Sequence, residues 1–171
     1  YEFLGLVNDV NRKLNEVELT AANFATATGF YSAAKDAVNS SIRYINQYQF
    51  EWPFNHVEQT DTLVAGDVRY PFPSDMKTPD MDSFRIKRDA TLNNETVKLK
   101  LLSYEDYLNR YVDFEYNTTN TGIRDVPQMA FRTPNLEYGV VPPPDEAYEV
   151  VYEYYRLPGD LLNATDVPSI P

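Results

Sequence analysis

His56 is the chain's one histidine, and it follows Trp52-Pro53-Phe54 after a single intervening residue. Its functional reading is a general base. A junction residue, exposed or bonded to backbone, is the expectation. Asp80-Met81-Asp82 offers two carboxylates to Ca²⁺, but EF-hand spacing and further ligands are missing, so a solvated turn is expected. Glu149 and Glu153 fall on one face of a strand, four residues or roughly 13 Å apart. That exceeds the carboxylate separations of glycosidases, and a solvated or channel-facing surface fits them better. No cysteine is present, which removes disulfides, thiolate catalysis and Cys-ligated zinc. There is no Gly-rich phosphate loop, nucleophile elbow or Ser/His/Asp arrangement. The sequence therefore predicts no enzyme, no cofactor and no metal.

The 171 residues are 43% hydrophobic, enough to bury a core, and their apolar runs are too short for a transmembrane helix. The chain opens on Tyr1, and no signal peptide is recognisable. Formal charge is −11, with twelve acids against four bases in residues 101–171. Tight binding to a nucleic-acid backbone, which needs clustered Lys and Arg, is not expected. Tyrosines number 14, nine of them beyond residue 100. Such rings fill sheet cores, stack on sugars or anchor interfaces. Tyr148, Tyr152 and Tyr154 stay open between core and interface.

The elements that position these residues change character near residue 52. All twelve prolines lie at or after Pro53. Before it, Phe3, Val7, Val10, Leu14 and Val17 recur at spacings of four and three, one face of a helix. Asn8, Asn11, Arg12, Asn15 and Glu16 form its polar side. Leu19–Thr28 reads as a link, and Thr28 as the cap of a second helix striped by Tyr31, Ala34, Val38, Ile42 and Ile45. The two are expected to pack as an antiparallel helical hairpin. Beyond Pro53 the period becomes two. Thr62–Val64 and Val68–Tyr70 read as a hairpin about Ala65-Gly66-Asp67. Ser83–Arg88 is a strand, and Asn93-Asn94 turns into Val97–Leu101, where Val97, Leu99 and Leu101 share a face. Ser103 caps a short helix, 117–125 is a loop, and Met129–Arg132, Leu136–Val141 and Ala147–Arg156 are strands. On the last, Tyr148, Val150, Tyr152 and Tyr154 oppose Glu149, Val151, Glu153 and Tyr155. The fold class predicted is α+β: a hairpin in 1–52, then a small antiparallel β unit in 53–171 with a short helix near 103–112.

The collinear order of several segments carries a resemblance. Leu6-Val7-Asn8-Asp9-Val10, Glu51-Trp52-Pro53-Phe54, Ala65-Gly66-Asp67 and Tyr70-Pro71-Phe72-Pro73-Ser74-Asp75 are followed by Pro142-Pro143-Pro144-Asp145. Tyr154-Tyr155-Arg156-Leu157-Pro158 and Asp166-Val167-Pro168-Ser169-Ile170-Pro171 complete the series. Over nearly its whole length the chain resembles the head-to-tail adaptor (connector) proteins of short-tailed bacteriophages. Asp125-Val126-Pro127-Gln128 departs from the family's usual Gly-x-Pro step, and members usually continue with helices after a segment like Ile170-Pro171. The resemblance implies a structural protein of the virion neck, made in the host cytoplasm and without a membrane anchor. It implies a ring, commonly of twelve copies, between the portal protein and the tail nozzle protein, through which genomic DNA passes during ejection without specific binding. Trp52, Phe54, Tyr148, Tyr152 and Tyr154 are its candidate interface residues, and Glu149 and Glu153 its candidate channel-facing acids. The alternative is a carbohydrate- or receptor-binding β module of a phage tail.

Overall fold

In the computed structural model, which describes residues 1–88 and 95–171, the first helix stops short of the apolar stripe that predicted it. α1 (Phe3–Lys13) buries Phe3 and Val7, while Leu14 and Val17 are exposed. The stop has a local cause. Asn15 takes a left-handed conformation, φ +58°; its amide donates to the Arg12 carbonyl, and the Glu16 amide to that of Asn11. This pair of bonds is a Schellman closure, and asparagine tolerates the left-handed position better than most residues. The expected polar side is also partly internal. Asn8 and Asn11 are buried, and Asn8 brackets Leu19, accepting from its amide at 2.7 Å and donating to its carbonyl at 2.8 Å.

Leu19–Thr28, expected as a link, consequently returns to the core. α2 (Ala21–Phe24) has a capping box of Thr20 and Asn23, and Phe24 meets Phe3 edge-on with ring centroids 5.2 Å apart. α3 (Phe30–Tyr48) buries Ala34 and Val38, and its N-cap is Gly29 at φ +65° instead of Thr28. The N-terminal antiparallel helical hairpin is thereby corrected to a short helix, a helical turn and one long helix. Leu161 joins the same apolar cluster. Asn39 holds it there, donating to its carbonyl and accepting from its amide, both at 3.0 Å. Residues 156–171 accordingly form one compact unit with residues 1–55, and His56–Tyr155 form a second.

The second unit is mostly sheet. Its strands are β1 (His56–Thr62), β2 (Arg69–Pro71), β3 (Met76–Lys87), β4 (Thr96–Lys98), β5 (Lys100–Leu101), β6 (Met129–Thr133), β7 (Glu137–Val141) and β8 (Glu149–Arg156). They make two four-stranded sheets, β1-β8-β3-β4 and β2-β7-β6-β5. The small antiparallel β unit is corrected as well: there are two sheets, and β5 runs parallel to β6. The fold is mixed α/β, with the longest helix in the first unit and both sheets in the second. Where one inserted helix was expected stand α4 (Tyr104–Arg110), capped by Ser103 through the Asp106 amide, and α5 (Val112–Tyr116).

Two local expectations fail because adjacent stretches join different sheets. The turn at Ala65-Gly66-Asp67 forms, with Gly66 at φ +88°, but its flanks join different sheets: β1 pairs with β8 and β2 with β7. Val97–Leu101 likewise divides into β4 and β5, and only Leu99 of its three apolar residues is buried. In the first case β1 takes the seven-residue partner β8 over its neighbour in sequence; in the second β4 pairs with its neighbour β3, and β5 leaves for the other sheet beside β6. The turn expected at Asn93-Asn94 lies outside the described residues.

The core of this unit is aromatic. Phe84 stacks on Tyr152 at 4.7 Å and 5°, with Tyr138 5.1 Å away. Tyr138 of β7 and Tyr152 of β8 both donate to Oδ2 of Asp61 on β1, each at 2.9 Å, and Gln59 donates to Oδ1 at 2.8 Å. On the other sheet Phe131 lies opposite Gly139; a Cβ at Gly139 would sit 2.2 Å from the Phe131 ring.

Asp61→Ala strands two buried hydroxyls and should cost about 3 kcal/mol in denaturant titration. Gly139→Ala overpacks the ring and should cost about 2 kcal/mol. Gly5→Ala, inside α1 with open space about it, should instead stabilise by about 0.5–1 kcal/mol. Equal midpoints for the two glycine variants would contradict the Phe131 packing.

Candidate interface

The last turns of α3 expose more apolar surface than folding requires. Tyr44 and Tyr48, one helical turn apart, are 69% and 75% exposed and their rings lie 6.1 Å apart. Phe50 is 72% exposed. Tyr44 lies off the Tyr31–Ile45 stripe, and that misfit to the apolar face was a signal available in the sequence; Phe50 follows the end of α3. Trp52 follows, half-buried. Its indole N–H donates to the Ile45 carbonyl at 2.7 Å, one of the four left over at a helix C-terminus. Its ring stacks on Phe54 at 5.2 Å and 21°. Below them the buried Asn55 donates to the buried Asn46 side chain at 2.9 Å. Trp52 and Phe54 are therefore held in fixed positions. On the same unit an apolar groove of about 390 Å³ is lined by Leu6, Val10, Val38, Ile42, Val167 and Pro168, among others. Large contiguous apolar patches are uncommon on monomeric proteins and are a general feature of interaction surfaces.

Tyr148, Tyr152 and Tyr154 are placed differently: all three are buried. The alternation read from the sequence holds along β8, whose burial runs half-buried, buried, half-buried through Glu153. These rings offer no surface to a sugar or a neighbouring subunit. Their hydroxyls are satisfied inside the unit, Tyr148 by Asp145 at 2.8 Å and Tyr154 by Asp75 at 2.9 Å. Burial, reinforced by the Asp61 charge and hydrogen bond, raises the pKa of Tyr138 and Tyr152 well above the ordinary phenol. Burial also pushes Tyr70 up to about 12, and raises Tyr107, whose hydroxyl donates to Glu115 at 2.5 Å.

Glu149 and Glu153 point outward from β8, as the period of two predicts, yet each has a cationic or titratable partner. Lys87 on β3 bonds Glu149 at 2.9 Å, and His56 Nε2 on β1 lies 3.2 Å from Glu153. The His56 ring stacks on Tyr155, its register partner, at 4.6 Å and 12°. Asp80 comes to the same place. One ligand atom each from His56, Asp80 and Glu153 lie within 4.8 Å of one another. Sequence reading treated the three separately, because the strands that bring them together are far apart in the chain.

The protein-family comparison covers every residue: the family described as SU10 adaptor protein matches residues 1–171. No curated protein matches the chain.

The raised tyrosines fix the sign of an alkaline pH dependence. Their pKa is higher folded than unfolded, so the stability they contribute is complete below about pH 10 and is lost as pH rises further. Absorbance at 295 nm, followed together with circular dichroism across a pH series, measures this. Tyr70, Tyr107, Tyr138 and Tyr152 should ionise only with unfolding, above roughly pH 10–11. A single reversible titration of every tyrosine while circular dichroism stays native would contradict the buried placement.

Proposed function

The chain belongs to the SU10 adaptor protein family, and from that premise we propose that it works as a phage head-to-tail adaptor, a structural part of the virion neck. In this reading several copies close a ring between the portal protein and the tail nozzle protein, and the genome passes through the middle. The whole-length family match is the observation that carries it. Membership in a structural adaptor family also favours a non-catalytic role.

Physical features support the reading. The end of α3, with Tyr44, Tyr48 and Phe50 exposed and Trp52 held by the Ile45 carbonyl, supplies apolar anchors that a solitary chain does not need. Trp52 and Phe54 are the proposed contacts. The net charge of −11 suits a passage that must not retain DNA. That repulsion belongs to the chain as a whole, since Glu149 and Glu153 already have partners across the sheet. No described helix is long and apolar enough to cross a membrane.

The same acidity opposes premature assembly, because subunits carrying −11 repel one another. The isolated protein should be mainly monomeric at low ionic strength and should form a ring on a portal template or at high salt. The Debye length shrinks from about 10 Å at 0.1 M to about 3 Å at 1 M, which removes the repulsion. Light scattering across a salt series, with and without portal, measures this. A monomer under every condition, portal included, would overturn the reading. Trp52→Ala should weaken ring formation while leaving the chain folded; an undiminished ring would remove only that anchor.

A further inference from the structure

We propose that His56, Asp80 and Glu153 form a binding site for a divalent metal ion of the zinc type on the outer face of the β1-β8-β3 sheet. The inference does not depend on the adaptor reading. β8 lies between β1 and β3, so each of three adjacent strands supplies one ligand. His56 Nε2 and Glu153 Oε2 are 3.2 Å apart. Two ligand atoms on a tetrahedral zinc with bonds near 2.1 Å stand about 3.4 Å apart, so this edge of the site already has its working length. The third ligand atom, from Asp80, completes a set within 4.8 Å, and rotation of its half-buried side chain closes the remainder.

The supports around the triad hold it in place. Tyr155 stacks on the imidazole and sets its plane. The Ser83 hydroxyl donates to the Asp80 carbonyl at 2.6 Å and accepts from the Glu153 amide at 2.8 Å, which ties the Asp80 backbone to β8. The Asp82 amide donates to Asp80 Oδ1 at 3.2 Å. Such outer contacts orient ligands and strengthen metal binding.

Electrostatics point the same way. Register places Glu58 directly opposite Glu153 on one face, a like-charge arrangement that costs stability. Glu58, Asp80, Asp82 and Glu153 together line a cleft of about 300 Å³ whose lining includes one cation, Arg85. A bound dication offsets that excess. An imidazole with two carboxylates, and no thiolate, selects a borderline ion such as Zn²⁺ over Ca²⁺ or Mg²⁺, which prefer all-oxygen sets. The open side of the cleft leaves room for water at the remaining position. A metal there staples three strands and makes the stability of the sheet depend on the ion.

The test is isothermal titration of the EDTA-stripped full chain with ZnCl₂ at pH 7, paired with thermal melts. One saturable site per chain is expected, with a melting temperature that rises with Zn²⁺ and does not respond to Ca²⁺. His56→Gln and Glu153→Gln should each weaken binding by about tenfold or more and abolish the rise, while their metal-free melts stay close to wild type. Asp80→Asn provides a third variant should one of those fail to fold. Co²⁺ should give a visible absorption band that His56→Gln removes. Absence of saturable binding at millimolar Zn²⁺ would overturn the site, and so would binding that all the folded variants leave unchanged.

Discussion

One carboxylate joins the two sheets of the second unit. Asp61 sits on the inward side of β1 and receives the hydroxyls of Tyr152 from its own sheet and Tyr138 from the other. Each such bond to a charged acceptor is worth about 1.5–3 kcal/mol, and the penalty for leaving it unmade is comparable. Phe84 and Phe72 pack against the same two rings. An aromatic core thus receives a fixed arrangement that apolar packing alone would specify less sharply. The outward face of β8 inherits its order from this constraint, since turning Tyr152 inward turns Glu153 and Tyr155 outward.

The first unit uses the same device with amides. Asn8 clamps the Leu19 backbone and Asn39 clamps that of Leu161. Each asparagine gives a chain segment outside regular structure the hydrogen bonds it would otherwise take from water. Two apolar residues far apart in sequence can therefore enter one cluster with Phe3, Phe24 and Val38. The arrangement needs few long helices, and Tyr44 and Tyr48 in the last turns of α3 and Phe50 beyond it are exposed.

An adaptor must offer contact surface before it has its partners, and the two units divide that demand. Apolar exposure concentrates in the unit that holds α3, while the sheet unit buries Tyr70, Tyr107, Tyr138, Tyr148, Tyr152 and Tyr154. The net charge of −11 acts against self-association through the exposed aromatic surface, and salt screens that repulsion. The family match gives this balance its context.

Local pattern determined what depends on near neighbours. The period of two along Tyr148–Tyr155, the Ser103 cap, the Gly66 turn and the strands at Met129 and Glu137 were legible because each rests on residues within one turn or one strand. The adaptor resemblance was legible for a related reason: it resides in the order of short motifs. The helical hairpin was misread because Asn15, counted as a polar-face residue, takes the left-handed position that ends α1, and because Asn8 carries Leu19 back to the core. The division into two sheets was hidden as well. β1 could pair with its neighbour or with β8, and the number of bonds gained, a property of the folded chain, made the choice. That same non-local pairing assembled His56, Asp80 and Glu153. Periodicity says which face a residue takes, but only strand order says what stands beside it.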